Sequence, residues 1–168
     1  MKAEVYWTQE SFPGRIALVP RPRGGDWLED EASEWANEGL NVIVSMLERE
    51  EVESFGLERE KEFCQLNGIE FFSIPVADRS VPILSEDFLK LLEKLKMMLL
   101  QGDNIGIHCR QSIGRAPLLA ALLMILLDIE PKEAFRQLSL ARGLEVPETL
   151  EQKNLAENFY KESSVVLA

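Results

Sequence analysis

Ile105-Gly-Ile-His-Cys-Arg-Gln-Ser-Ile-Gly-Arg115 is the stretch around which the rest of the chain falls into place. An apolar segment of strand length runs into a histidine and a cysteine, and a short polar stretch with a glycine follows. Arg115 then opens onto the uninterrupted apolar run Ala116–Leu127. This pattern predicts a buried strand, a tight loop and a helix apolar nearly all round. Gly114 is expected to supply the backbone freedom that a tight curl needs. Such a curl turns the N–H groups of Arg110, Gln111, Ser112, Ile113, Gly114 and Arg115 inward. The helix N-terminus adds partial positive charge, which makes a concave site for a dianion. Arg115 can hold two phosphate oxygens with its planar fork. Cys109 lies at the bottom of the cup, where amides, dipole and arginine favour thiolate. Sites of this kind lower a cysteine pKa from about 8.5 to between ~3.5 and ~7.5.

Composition narrows the classes around this cup. With 168 residues, 46% hydrophobic and 28% charged, the chain is expected to be one soluble domain over 1–168. A formal charge of −11 argues against nucleic acid or an anionic membrane as a general partner. The longest apolar run, Ala116–Leu127, is too short to span a membrane. Residues 1–14 show no signal-peptide pattern, so the expected location is the cytoplasm. Cys64 and Cys109 are too few for a disulfide scaffold, and a single histidine, His108, cannot build a His-rich metal site. No metal or cofactor is called for, and the oligomeric state is left open.

Taken in order, residues 3–7 and 15–20 read as short strands, the first at an edge. Asp26 is the expected N-cap of a helix to about Asn37. Asn41–Met46 has the continuous apolar character of a parallel strand. The acidic run Glu48–Glu62 reads as a short and then a longer helix with a solvated face, and Cys64 as core packing with Gly68 as C-cap. Ile69–Pro75 is the next strand. It feeds the polar loop Val76-Ala-Asp-Arg-Ser-Val-Pro82, whose Asp78 is either a turn residue or a chemical one. Ser85 caps a helix over Glu86–Leu100 that Gly102 stops, and two further helices cover Lys132–Arg142 and Glu148–Glu162. Strands alternating with helices predict an α/β fold with a mostly parallel central sheet flanked by helices. The cup then sits at the carboxyl end of a strand, where such sheets place ligands.

His108-Cys109, five residues and Arg115 resemble the signature of cysteine-based protein tyrosine phosphatases, specifically their compact dual-specificity-like branch. The resemblance runs from roughly residue 15 to 160 and is most specific in 75–82 and 108–116. It implies a phosphomonoester hydrolase with Cys109 as nucleophile and Arg115 and the loop amides as phosphate ligands. Asp78, at the family's spacing from the cysteine, is the implied acid for the leaving oxygen and then the base for water. It also implies a supporting role for His108. Arg23, Trp27, Arg79 and Gln152 become candidate substrate contacts. For Arg23 and Trp27 the plainer expectation is a solvated arginine and a core tryptophan, and for Gln152 a solvated helix surface. Some relatives trap the oxidised nucleophile with a second cysteine, a role Cys64 is not expected to have. One position departs from the pattern. The family usually has Ser or Thr after the arginine, with a hydroxyl that stabilises the departing thiolate, and here Ala116 stands there.

The expected substrate is a phosphorylated protein or a small phosphomonoester. Three other readings stay open. A phosphoinositide phosphatase would want more positive charge than Arg110 adds to Arg115. A rhodanese-like or arsenate-reductase-like thiol enzyme would leave Asp78 idle, and a phosphoprotein-binding module would not need an intact nucleophile.

Overall fold

The structure is a computed structural model that describes residues 3–167. Five strands form one sheet in the order β1-β2-β5-β3-β4. They are β1 (Tyr6–Ser11), β2 (Arg15–Leu18), β3 (Val42–Ser45), β4 (Glu70–Ser73) and β5 (Ile105–His108). β1 pairs antiparallel with β2, and all other pairings are parallel. β5 is central, with Ile105 opposite Ile16 on one side and Val42 on the other. The expected α/β fold with a mostly parallel sheet is therefore what forms.

Side-chain alternation divides the sheet into two buried faces. Ile16, Leu18, Val42, Val44, Ile105 and Ile107 enter one core, under α4 (Glu86–Leu100), α5 (Arg115–Leu126), α6 (Pro131–Arg142) and α7 (Leu150–Leu167). Ala17, Val19 and Ile43 enter the other, with residues of α1 (Leu28–Asn37) and α3 (Glu60–Leu66). Between α1 and α3 lies the short α2 (Arg49–Ser54). Gly106 packs closely in β5: a Cβ there would stand 3.1 Å from Ile43 Cδ1 and 3.2 Å from the Leu40 methyls, which would have to shift to admit it.

α5 explains why the loop before it is firmly seated. Every residue from Arg115 to Ile125 is buried, and each fully buried leucine contributes about 1.5–3 kcal/mol. Pro117 falls in the first turn, where its missing N–H costs nothing. Ser85 caps α4 as expected, its hydroxyl accepting from Phe88 N at 3.2 Å.

Several boundaries move. β1 covers Tyr6–Ser11 rather than 3–7, because its pairing runs to Arg15 across an irregular register. Asp26 caps nothing: it lies within a 3-10 turn, Gly25–Trp27, that delays α1 to Leu28. Trp27 is no core residue, being 54% exposed, and Trp35 fills the core from α1 instead. α7 begins at Leu150, two residues after the expected start.

Candidate active site

The cup forms as the 109–115 loop between β5 and α5. Cys109 is 3% exposed, with its backbone at the carboxyl end of the central strand. The loop's left-handed residue is Ser112 (φ +57°), not Gly114 (φ −128°). Ser112 is fully buried, and its hydroxyl donates to Val19 O at 2.5 Å, pinning the loop to the end of β2. What excludes a side chain at Gly114 is space: a Cβ there would lie 2.9 Å from Gln152 Nε2 and 3.3 Å from Glu148 Cβ.

Arg115 is 1% exposed and held on three sides. Its Nη1 donates to Val76 O (2.7 Å), Met46 O (3.2 Å) and Glu51 Oε1 (2.7 Å), and its Nη2 donates to Glu51 Oε2 (2.9 Å). Nη2 also lies 3.2 Å from Asp78 Oδ1. Nε is buried and has no hydrogen-bond partner among the described residues, so it is a donor left for an oxyanion. Burial opposes the charge on Arg115, but Glu51, a Cys109 thiolate and Asp78 outweigh it and hold its pKa above the usual arginine value.

Glu51 departs from the expectation of a solvated acidic face. It sits in α2, 12% exposed, where one oxygen also accepts from Glu48 N at 3.0 Å. Burial pushes its pKa up, yet the Arg115 hydrogen bonds, the Glu48 N–H and the Arg115 and Arg110 charges together keep it below the ordinary glutamate value. Glu60, at the start of α3, departs in the same way. It is 2% exposed and reaches His108 Nε2 at 2.6 Å, while Trp35 stacks on the imidazole with centroids 6.1 Å apart. Neither acid stands out from Glu48–Glu62 in sequence. Position does not single them out either: each lies in the first turn of its helix, where a carboxylate meets the helix dipole, but so do the exposed Glu50 and Glu62.

Asp78 occupies a turn closed by Ser80 N donating to Ala77 O at 3.0 Å, anchored by buried Ile74 and Val76. Its side chain is 46% exposed. Arg79 follows with φ +62° and pairs with Glu148 at 2.5 Å. Gln152 is fully buried rather than solvated. Its Nε2 donates to Ser80 O at 3.1 Å and its Oε1 accepts from Thr149 N at 3.1 Å, so it ties α7 to the Asp78 loop. Together these residues enclose a cavity of about 310 Å³ lined by Asp78, Arg79, Cys109, Arg110, Gln111, Ile113, Gly114, Arg115 and Glu148.

Arg23 and Trp27 do not join it. Arg23 covers the Trp27 ring at 4.5 Å and pairs with Glu31 at 2.5 Å, lining a separate groove. Cys64 is buried in the core opposite the one containing Cys109, and burial, with Glu60 nearby, pushes its thiol up to about 12. That is the setting of packing rather than of a redox partner.

A cysteine and an arginine at the two ends of a strand-to-helix loop, with an aspartate loop above, define the class of cysteine-dependent phosphatases. Residues 19–127 match the family described as "Polymorphic toxin system, DSP-PTPase phosphatase", and the chain belongs to that family. A protein of Invertebrate iridescent virus 6 named as tyrosine phosphatase 197R is 28% identical over 147 residues, covering 82% of this chain and 53% of its own. Cyclin-dependent kinase inhibitor 3 of Mus musculus is 26% identical over 133 residues, covering 79% and 63%. The chain thus spans between half and two thirds of the length of these relatives. Among solved structures, kinase associated phosphatase superposes with TM-score 0.85 at 22% identity, covering 98% of this chain and 97% of that one. PTPMT1 in complex with PI(5)P superposes with TM-score 0.73 at 20% identity, covering 95% and 98%. No helix among the described residues is long and apolar enough to cross a membrane.

Proposed function

We propose that this chain hydrolyses phosphomonoesters, with phosphotyrosine and other phosphorylated side chains of proteins as substrates, through a phosphocysteine intermediate. The observation that carries the reading is that Asp78, Cys109 and Arg115, distant in sequence, line one small cavity, with a buried Arg115 N–H that has no partner among the described residues. In the first step the Cys109 thiolate attacks phosphorus, the ester P–O bond breaks, and Asp78 delivers its proton to the leaving oxygen. In the second, water attacks the phosphocysteine, Asp78 takes up the proton, the S–P bond breaks, and thiolate and inorganic phosphate leave. Arg115 Nε and the loop amides carry the charge of the phosphoryl oxygens in both steps. His108, buttressed by Glu60, steadies the Cys109 backbone. Because Cys109 must stay a free thiol, the reading places the protein in a reducing compartment, the cytoplasm.

The test is hydrolysis of an aryl phosphate across pH 4.5–8 by wild type, Cys109→Ser and Asp78→Ala, without added metal. Cys109→Ser is expected to be inactive and Asp78→Ala to lose the basic limb of the profile. Turnover of thiosulfate with no phosphatase activity would overturn the reading in favour of sulfur transfer.

A further inference from the structure

The tip of the Asp78 loop stands away from the body of the protein. Ala77, Asp78 and Arg79 are all exposed, between the buried Val76 and the buried Pro82. Asp78 itself meets the cup only through Oδ1, 3.2 Å from Arg115 Nη2. A proton donor nevertheless has to stand within hydrogen-bond reach of the oxygen it protonates. Something other than Asp78 must hold the tip in place.

Two further polar links reach it, and both come from the start of α7. Arg79 Nη1 donates to Glu148 Oε1 at 2.5 Å, and Gln152 Nε2 donates to Ser80 O at 3.1 Å. Glu148 and Gln152 are also the residues that press on the cup: a Cβ at Gly114 would lie 3.3 Å from Glu148 Cβ and 2.9 Å from Gln152 Nε2. The same two side chains therefore touch both the acid loop and the phosphate loop, which ties the position of one to the other. Arg79 takes part at a backbone cost. Its φ of +62° is one that glycine adopts freely and a long side chain does not, so a turn alone would be better served by glycine. Its guanidinium is spent on Glu148, at the wall of the cavity, rather than left free for a substrate.

Resting on the phosphatase reading, we propose that Arg79 and Glu148 are positioning residues for Asp78. Their ion pair clamps the acid loop to the residues that seat the 109–115 loop, and so fixes the point at which the proton reaches the leaving oxygen. Arg79 is then no substrate contact.

The experiment measures kcat and KM on two aryl esters that differ in their need for a proton. Phenoxide is strongly basic and departs readily only when protonated, whereas a dinitrophenolate departs unaided. Asp78→Ala sets the scale, with a large loss on phenyl phosphate and a smaller one on dinitrophenyl phosphate. Arg79→Ala and Glu148→Gln should each lower kcat on phenyl phosphate about tenfold, a fraction of the ~100–10,000-fold that a general acid supplies. The loss on the dinitrophenyl ester should be smaller, and KM should move less than kcat. Because the two residues act as one clamp, the double variant should lose no more than either single one. Urea melts should barely shift, since Arg79 is 64% exposed and such pairs add little stability; the melts also verify that each variant folds. Losses equal on the two esters, a rise in KM with kcat intact, or losses that multiply in the double variant would each overturn the proposal. Equal losses on the two esters in Asp78→Ala would remove Asp78 as the acid and the clamp's purpose with it. Should wild type hydrolyse neither ester, the phosphatase reading fails by itself, and hydrogen exchange decides the clamp separately. The Ser80 amide, bonded to Ala77 O at 3.0 Å, should exchange faster in Arg79→Ala than in wild type, and equal exchange would overturn the clamp.

Discussion

Glu51→Gln isolates the part of the site that was least visible from sequence. The substitution keeps the volume and one acceptor but removes the charge that faces Arg115 through two hydrogen bonds of 2.7 and 2.9 Å. Breaking a buried ion pair costs ~3–5 kcal/mol. Here Val76 O and Met46 O still hold Nη1 and an amide oxygen can still accept, so we expect a loss of about 2 kcal/mol. The pH dependence follows from the direction of the Glu51 shift. Its folded pKa lies below the ordinary value of 4.5, so its contribution is present in full above that value. It fades as pH falls through the folded pKa. Urea melts of wild type and Glu51→Gln should therefore differ by about 2 kcal/mol at pH 7 and converge as the pH falls from 4.5 through the lowered folded pKa. With Nη1 still held by Val76 O and Met46 O, the guanidinium loses its charged partner at Nη2 and tilts from its aimed position; misplacement of about 1 Å can cost ~100-fold, so kcat/KM for an aryl phosphate should fall by up to that order. Equal stability of the two proteins at pH 7, a gap that widens in acid, or unchanged kcat/KM would each refute the assignment of Glu51 as the residue that orients Arg115.

Three further outcomes are expected. Ala116 is fully buried and offers no hydroxyl to the departing thiolate; breakdown of the phosphocysteine should limit turnover, giving a product burst in rapid mixing that Ala116→Ser diminishes while raising kcat. Gly114→Ala should displace the Gln152 amide, lowering stability by ~1–3 kcal/mol through the lost buried hydrogen bonds, and adding Gln152→Ala should cost less than the two single losses summed. Glu60→Gln should cost ~1–3 kcal/mol in a denaturant melt by weakening the buried contact to His108, whereas Glu58→Gln, two residues away and exposed, should cost almost nothing.

How much of this was legible beforehand follows from the range of the interactions involved. The strand, loop and helix of 105–127 were readable because periodicity, apolar run length and turn chemistry are local properties, and Cys109 and Arg115 are fixed by the loop they bound. Asp78 was readable through the fenced loop that carries it. The curl places its positive φ at Ser112, where a buried hydroxyl bond to Val19 O stabilises it, and Gly114 also has to be small because Gln152 arrives from 38 residues further along the chain. Glu51, Glu60 and Gln152 share that origin. Each is polar in a segment whose pattern predicts solvent exposure, and each is buried because tertiary packing supplies a partner that local spacing cannot specify. Burial of an acid is tolerable only where a cation or donor meets it; among the described residues Glu60 is buried against His108, and Glu51 is largely buried against Arg115. The positions at which the exposed-helix expectation fails are therefore the positions that hold the phosphate cup in shape.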